Sequence, residues 1–338
     1  MLKSFGQKLN QGYSKRRKQI MEKYNVVAMG ELLIDFTENG ISAQGNPVLE
    51  ANPGGAPCNV LSMLNRLGHR TAFIGKVGDD MFGHQLETAI KEVGIDTVGL
   101  RWDKDVHTTL AFVHTAEDGD RDFSFYRNPG ADMMLRKDEV DAELIKNCDI
   151  FHFGTLSMTD EVCREATKYA ISVAKENKKL ISFDPNLREP LWKSLEEAKK
   201  QIDYGMKNCD ILKISDNEIL WFTGENDYDK AVKSLQKKYD IPLILLSLGK
   251  EGSRAYQGEK SVEESAFVNP DTIETTGAGD TFMAMCLHYV IEHGYTEYGE
   301  KQLHEMLRYA NAAASIVTTR KGALRVMPTW QEIEEGVQ

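Results

Sequence analysis

Short apolar runs alternating with amphipathic segments constrain this chain more than any other feature. Val26–Gly30, Thr71–Val77, Asp149–Gly154, Leu180–Asp184, Asp210–Ser215 and Pro242–Ser247 are brief, nearly continuous apolar stretches. Runs of that length, bounded by polar residues, read as strands buried on both faces. Glu31–Phe36 reads as a continuation of the first strand. Between the runs the period changes. Cys58–Leu67 places Val60, Leu61, Leu64 and Leu67 on one helical face, with Gly68 just past its end. Met81–Val93, closed by Gly94, and Asp160–Glu176 read the same way. Strand–helix alternation implies an α/β chain with a mainly parallel central sheet flanked by helices, and ligands at the carboxyl ends of its strands. One stretch breaks the pattern. Thr97–Trp102, Thr108–Thr115 and Asp122–Tyr126 are strand-like without intervening helices, and Phe123 and Phe125 alternate with polar residues. These segments, from about 97–126 together with 31–50, predict a small projecting sheet that acts as a lid, a dimer contact, or both.

Composition narrows the functional classes. The 338 residues suffice for one large domain or two modest ones. No apolar run approaches the roughly 20 residues needed to span a bilayer, so no membrane role is expected. The net charge of −11 repels phosphate backbones and argues against nucleic acid as a partner. Residues 1–23 depart from this, with seven cations and one anion and a net of +6, leaving −17 on the rest. That segment lacks the apolar core of a secretory signal. It reads as a disordered basic arm, a short surface helix, or an extension upstream of a start at Met21. The expectation is a poorly ordered, solvated extension without chemistry, with the folded domain occupying 24–338. The five cysteines have irregular spacing and no CxxC, which fits a reducing cytoplasm and argues against a disulfide framework or a zinc site. The eight histidines contain no HExxH, and His152 at the end of an apolar run reads as a packed histidine.

Three local features carry chemistry. In Thr275-Thr-Gly-Ala-Gly-Asp-Thr-Phe282 a glycine loop precedes an amphipathic run to about His293. The first N–H groups of a helix lack internal partners, and Gly277 and Gly279 let an anion approach them. Asp280 beside such an anion hole would repel a resting phosphate. It suits a base that takes a proton from a hydroxyl while the amides stabilise a phosphoryl group in transfer. A turn with an Asp helix cap explains the same residues. Asn52-Pro-Gly-Gly-Ala-Pro-Cys-Asn59 opens a helix, and its paired glycines and Asn59 suit a polyhydroxylated ligand as well as they suit a helix-entry loop. Asp35 could bind two sugar hydroxyls or be a solvated strand end. Taken singly, none of the three is decided.

Their order and spacing resemble the PfkB, or ribokinase-like, carbohydrate kinase family from about Val26 to Pro328. The resemblance includes Gly-Gly-x-x-x-Asn at 54–59, Asp184-Pro-Asn-Leu-Arg188, Lys213-Ile-Ser-Asp-Asn-Glu218, Ser247-Leu-Gly-Lys-Glu-Gly252, Gly277–Asp280 and Thr319-Arg-Lys-Gly-Ala323. It implies a three-layer ribokinase-like fold with a lid. By position, Asp280 matches the family's base and Gly277, Ala278 and Gly279 its anion hole. Asp35, Gly54, Gly55, Asn59 and Arg127 match substrate positions. Asn186, Lys213, Ser247, Gly249, Gly252 and Asn311 match nucleotide positions, so ATP is the implied cosubstrate. Glu218 matches the glutamate that organises Mg2+ through water. Glu274, with carbonyls near Thr276, Val317, Arg320 and Gly322, matches the region that binds a monovalent cation, K+. Two residues depart from the family pattern: Ser215 stands for an asparagine and Glu274 for an aspartate.

Three strings lean toward the fructokinase branch: Phe125-Tyr-Arg-Asn-Pro-Gly-Ala-Asp-Met-Met-Leu135, Asp184-Pro-Asn-Leu-Arg-Glu-Pro-Leu-Trp192 and Thr318-Thr-Arg-Lys-Gly-Ala323. The implied reaction is in-line transfer from MgATP to the 6-hydroxyl of fructose. A 2-keto-3-deoxygluconate kinase, in which Arg127 would answer a carboxylate, is the nearest alternative, followed by ribokinase. Outside this class stand a nicotinamide enzyme, disfavoured because Met29-Gly-Glu-Leu-Leu-Ile lacks GxGxxG, and a sugar-binding regulator without catalysis. A homodimer through the lid sheet is the expected assembly.

Overall fold

A computed structural model describes residues 23–115 and 121–337. The basic segment read from the sequence lies, except for Lys23, outside the described residues. Lys23 itself pairs with Asp149.

The chain opens with β1 (Tyr24–Met29), then β2 (Leu33–Ile41) and β3 (Pro47–Gly54), helix α1 (Ala56–Arg66), β4 (Thr71–Gly78), α2 (Met81–Glu92) and β5 (Asp96–Asp103). Next come β6 (Leu110–Thr115), β7 (Arg121–Tyr126), α3 (Ala142–Lys146), β8 (Cys148–Gly154), α4 (Glu161–Glu176), β9 (Leu180–Asp184) and α5 (Leu195–Met206). The last part runs β10 (Ile211–Ser215), α6 (Asp216–Thr223), α7 (Tyr228–Tyr239), β11 (Leu243–Ser247), β12 (Ser253–Gln257), β13 (Lys260–Glu264), α8 (Ala278–His293), α9 (Glu300–Val317) and α10 (Trp330–Val337).

Among the described residues, nine strands form one sheet in the order β13-β12-β11-β10-β9-β8-β1-β4-β5. Strands β11 through β5 run parallel, and β12 and β13 add an antiparallel margin. Alternate side chains of each strand enter opposite cores, as the pleat requires. Val26 and Ala28 join one core with residues of α1, α2, α8 and α9, while Val27 and Met29 join the other with residues of α4, α5 and α7. These are the three layers the alternation implied. Asp80 and Asp160 cap α2 and α4 with their side chains, so Asp160, read as the first helical residue, stands just outside its helix.

Four strands form the second sheet, in the order β3-β2-β6-β7. Two expectations are corrected here. The stretch Thr97–Trp102 belongs to β5, the edge of the large sheet, where it pairs parallel with β4. An edge strand half covered by its layer carries the same mixed pattern as a lid strand. The first strand also does not continue through Glu31–Phe36. The chain leaves the large sheet after Met29, and Leu33 onward pairs with β3 and β6 in the small sheet. Phe36 stacks on Phe112 within the small sheet at 4.9 Å and meets Phe82 of α2 edge-on at 5.6 Å, which seats the lid on the body. Helix α8 departs from expectation in degree: it is buried almost all round rather than along one stripe, because α1 and α9 both pack against it.

Candidate active site

A cavity of about 440 Å³ opens where the small sheet overhangs the carboxyl ends of β1, β9 and β10. Asp35, Gly54, Gly55, Asn59, Asn186 and Lys213 line it from the lid and the sheet, and Glu274, Thr276, Gly277, Gly279, Asp280 and Gly322 line it from the α8 side. Asp35 and Gly322 lie 287 positions apart in sequence, and only the topology brings these residues around one cavity.

Asp280 sits in the first turn of α8, where helix amides have no internal partners. Gly277 caps that helix at φ 77°, in the left-handed region, and a Cβ there would lie 2.6 Å from Ala323. Asp280 is buried, and its Oδ2 accepts from Asn59 Nδ2 at 2.8 Å. Burial pushes its pKa up, while Asn59, Lys213 and Arg188 pull it down. The other side-chain atom of Asn59, Oδ1, is buried without a donor among the described residues. Ala278 adds only backbone, its amide donating to Thr275.

Asp35 lies in β2, opposite Asn52 of β3. Its partner surface requires glycine: a Cβ on Gly54 would lie 2.1 Å from Asp35 Oδ2. Burial raises the Asp35 pKa to about 7, with Arg188 opposing and Glu274 and Asp280 adding to the rise. Lys213, in the middle of β10, donates to Asp184 Oδ2 at 3.0 Å. Burial lowers its pKa, but Asp184, Glu218 and Asp280 together outweigh that and hold the ammonium protonated. A Cβ on Gly279 would lie 3.1 Å from Lys213 Nζ, so the cation stands against the glycine loop. Asn186, at φ 44°, turns the chain after β9, and its amide donates to Asp184 Oδ1 at 3.1 Å.

Arg127 is not brought to the cavity. Its Nε and Nη2 donate to Asp132 at 2.9 and 2.7 Å, Nη1 donates to Thr159 at 2.8 Å, and Nη2 also reaches the Leu156 carbonyl at 2.9 Å. A guanidinium with its fork committed in this way has little left for a substrate. Asp132 also accepts from Thr109 at 2.5 Å, so the cluster fastens the roots of β6 and β7 to the body. The arginine that does line the cavity is Arg188, exposed at its mouth. It was legible only as the last residue of the Asp-Pro-Asn-Leu-Arg string. Glu31 was also missed. It is buried, accepts from the Ala56 amide at 2.8 Å at the start of α1, and burial raises its pKa to about 7. His152 is packed as expected, bonded to Ser182 at 2.8 Å, with burial pushing its pKa down to about 3.

The residues matched to the nucleotide lie at the same end of the sheet, beyond the cavity. Ser247 ends β11 beside Ser215 of β10, and Gly249 and Gly252 bound the turn into β12. Asn311 accepts from Ser253 at 2.8 Å and donates to the carbonyls of Glu264 and Ser265 at 3.1 Å, which holds the strand margin in place.

Glu218 and Ser215 form a reciprocal cap on α6. Glu218 Oε2 accepts from Ser215, and Oε1 accepts one bond, from the Leu187 amide at 2.7 Å. Each carboxylate oxygen offers two lone pairs, so Oε1 retains capacity for a water, and hard oxygen donors suit Mg2+. Glu274 uses one oxygen to accept from the Gly322 amide at 2.7 Å. The Ile273 and Glu274 amides donate to the Thr318 carbonyl, and the Val317 carbonyl accepts from Arg320. The Arg320 guanidinium turns away to Val326 and Glu332, leaving only its carbonyl for the loop. The two loops therefore meet, and their donors are oxygens of the kind a monovalent cation takes.

A doubly covered parallel sheet, a second small sheet over its carboxyl edge, and a helix N-terminus beside a buried carboxylate define an α/β protein with one enclosed small-molecule site between the two sheets. The chain belongs to the pfkB family of carbohydrate kinases, whose family model matches residues 23–330. Among similar proteins, a probable fructokinase-2 of Arabidopsis thaliana is 44% identical over 306 residues, covering 90% of this chain and 93% of its own. Fructokinase-2 of Solanum habrochaites is 42% identical, covering 91% and 94%. Among solved structures, a Xylella fastidiosa fructokinase with bound ATP aligns with TM-score 0.85 and 28% identity over 94% of this chain and 98% of that one. A Vibrio cholerae fructokinase bound to fructose, ADP and calcium aligns with TM-score 0.84 and 27% identity over 93% and 99%.

Proposed function

We propose that this protein phosphorylates D-fructose at the 6-hydroxyl with ATP. The observation that carries the reading is Asp280: a buried carboxylate in the first turn of α8, hydrogen-bonded to Asn59, in a cavity shared with Asp35. Asp280 takes the hydroxyl proton as the oxygen attacks. The first-turn amides of α8 and the Lys213 ammonium stabilise the phosphoryl group in flight, and Asp35 and Asn59 orient the sugar. The orphaned Oδ1 of Asn59 suits a hydroxyl donor. Glu218 would hold Mg2+ through water, where the ion would supply charge neutralisation on the phosphates, and the 274–276 and 317–322 loops would hold K+. The lid excludes water, which would otherwise compete as acceptor.

Charge favours a neutral substrate. Glu31, Asp35, Glu274 and Asp280 line the cavity with only two cations, Lys213 and Arg188, and Lys213 is already paired with Asp184, so a sugar acid would find little free positive charge. We also propose a homodimer through the lid, because Ile41, Leu49 and Tyr126 expose large apolar side chains on the small sheet. Buried, unpaired cysteines accord with a cytoplasmic protein.

The test is ADP release from MgATP with K+ present, across D-fructose, 2-keto-3-deoxygluconate, D-ribose, D-glucose and adenosine. Fructose is expected to give the highest kcat/KM. A preference for the keto acid would reassign the substrate and point to Arg188 as its partner. Sugar binding without turnover would replace the kinase reading with a binding protein.

A further inference from the structure

A second cavity, about 560 Å³, lies far down α8 from Asp280, among Leu67, Met285, His288, Glu292, Tyr309 and Trp330. Eight residues of helix, about 12 Å, separate Asp280 from His288. None of the chemistry described above uses this region. His288 and Glu292 are four residues apart and so share one face of α8. His69 comes to them from the turn after α1, fixed there by its amide donating to the Leu64 carbonyl at 3.0 Å. His69 Nε2 lies 2.7 Å from His288 Nδ1 and 3.9 Å from Glu292 Oε1. One ligand atom from each of the three residues falls within 4.8 Å of the others. His69 is buried, His288 half-buried and Glu292 exposed.

We propose that His69, His288 and Glu292 bind one divalent transition metal of the Zn2+ class, with a fourth position open to the cavity. Two imidazoles and one carboxylate are a borderline donor set that suits zinc over magnesium or calcium. Donors on a tetrahedral zinc stand about 3.3 Å apart. The distances of 2.7 and 3.9 Å straddle that value. A small parting of the rings and a rotation of the exposed Glu292 satisfy the geometry. Bound metal would link the end of α1 to α8, the two helices that carry Asn59 and Asp280. The cysteine spacing had argued against zinc, but this donor set contains no cysteine and its histidines are 219 residues apart.

The test is a cobalt titration of chelator-treated protein without nucleotide. Expected are the visible bands of tetrahedral Co2+ at one ion per chain, displaced by Zn2+. Quenching of Trp330, whose ring lies 5.3 Å from that of His288, should follow the same curve. Glu292→Gln, at an exposed position that leaves the core intact, should weaken cobalt binding about tenfold or more, and His288→Asn should abolish the bands. Absence of tetrahedral bands overturns the site, as does a cobalt affinity unchanged in Glu292→Gln. In either case the two rings are a plain N–H···N contact.

Discussion

In the proposed role of base, Asp280 must be charged to take a proton, yet burial works against its charge. Asn59, Lys213 and Arg188 offset part of that penalty and leave a base stronger than a solvated aspartate, which suits proton transfer near neutral pH. Asp280→Asn keeps the shape and removes the base. We expect kcat to fall about 10³-fold while fructose binding, measured by calorimetry, changes little. Turnover within about tenfold of wild type would refute the role of base. Glu31 is a different case, a buried carboxylate whose pKa rises to about 7. Between its ordinary value of 4.5 and about 7 the folded state holds a proton that the unfolded state has lost. Stability from this group is complete below pH 4.5 and is lost as the pH rises through 7. Glu31→Gln should therefore stabilise the ligand-free protein at pH 8 by on the order of 3 kcal/mol, with no gain at pH 4. Thermal melts at the two pH values check the sign, and an equal gain at both would refute the burial account.

At the scale of elements, the glycine loop, its helix and the Gly-Gly entry to α1 were legible because each is a contiguous string whose chemistry is local. Arg127 was not, since its destination depends on Asp132, in the turn after β7, and on Leu156 and Thr159, between β8 and α4. The lid boundary failed for a related reason. Glu31–Phe36 looks like more of β1 until the second sheet claims it from Leu33 onward, and Thr97–Trp102 of β5 looks like a lid strand because an edge strand is also half covered. The relocated Arg127 carries a prediction. Arg127→Leu should destabilise the fold by about 3–5 kcal/mol, because Asp132 would be left buried without its cation. Denaturant unfolding measures the loss. The KM for fructose should hold in the surviving folded enzyme. A raised KM with unchanged stability would return Arg127 to the substrate.

At the scale of the molecule, the large sheet closes its own faces with helices, but the small sheet leaves one surface open. Ile41 is 70% exposed and Tyr126 68%, side chains that a lone lid would present to water. Burial of apolar area contributes roughly 25 cal/mol per Å², and large exposed apolar patches commonly mark interaction surfaces. A second copy of the same sheet meets the need by symmetry, because a two-fold interface sets one patch against itself. Light scattering after gel filtration should give twice the 38.1 kDa chain mass at micromolar concentration. Ile41→Asp with Leu49→Asp should return the protein to a monomer, since like charges would face each other across the axis. If the lids also brace each other over the sugar, the monomer should show a raised KM for fructose with the KM for ATP unchanged, because the cavity wall at Asp35 belongs to the lid and the nucleotide segment does not. A wild-type protein that stays monomeric at every concentration would refute the dimer and leave the small sheet as a lid alone.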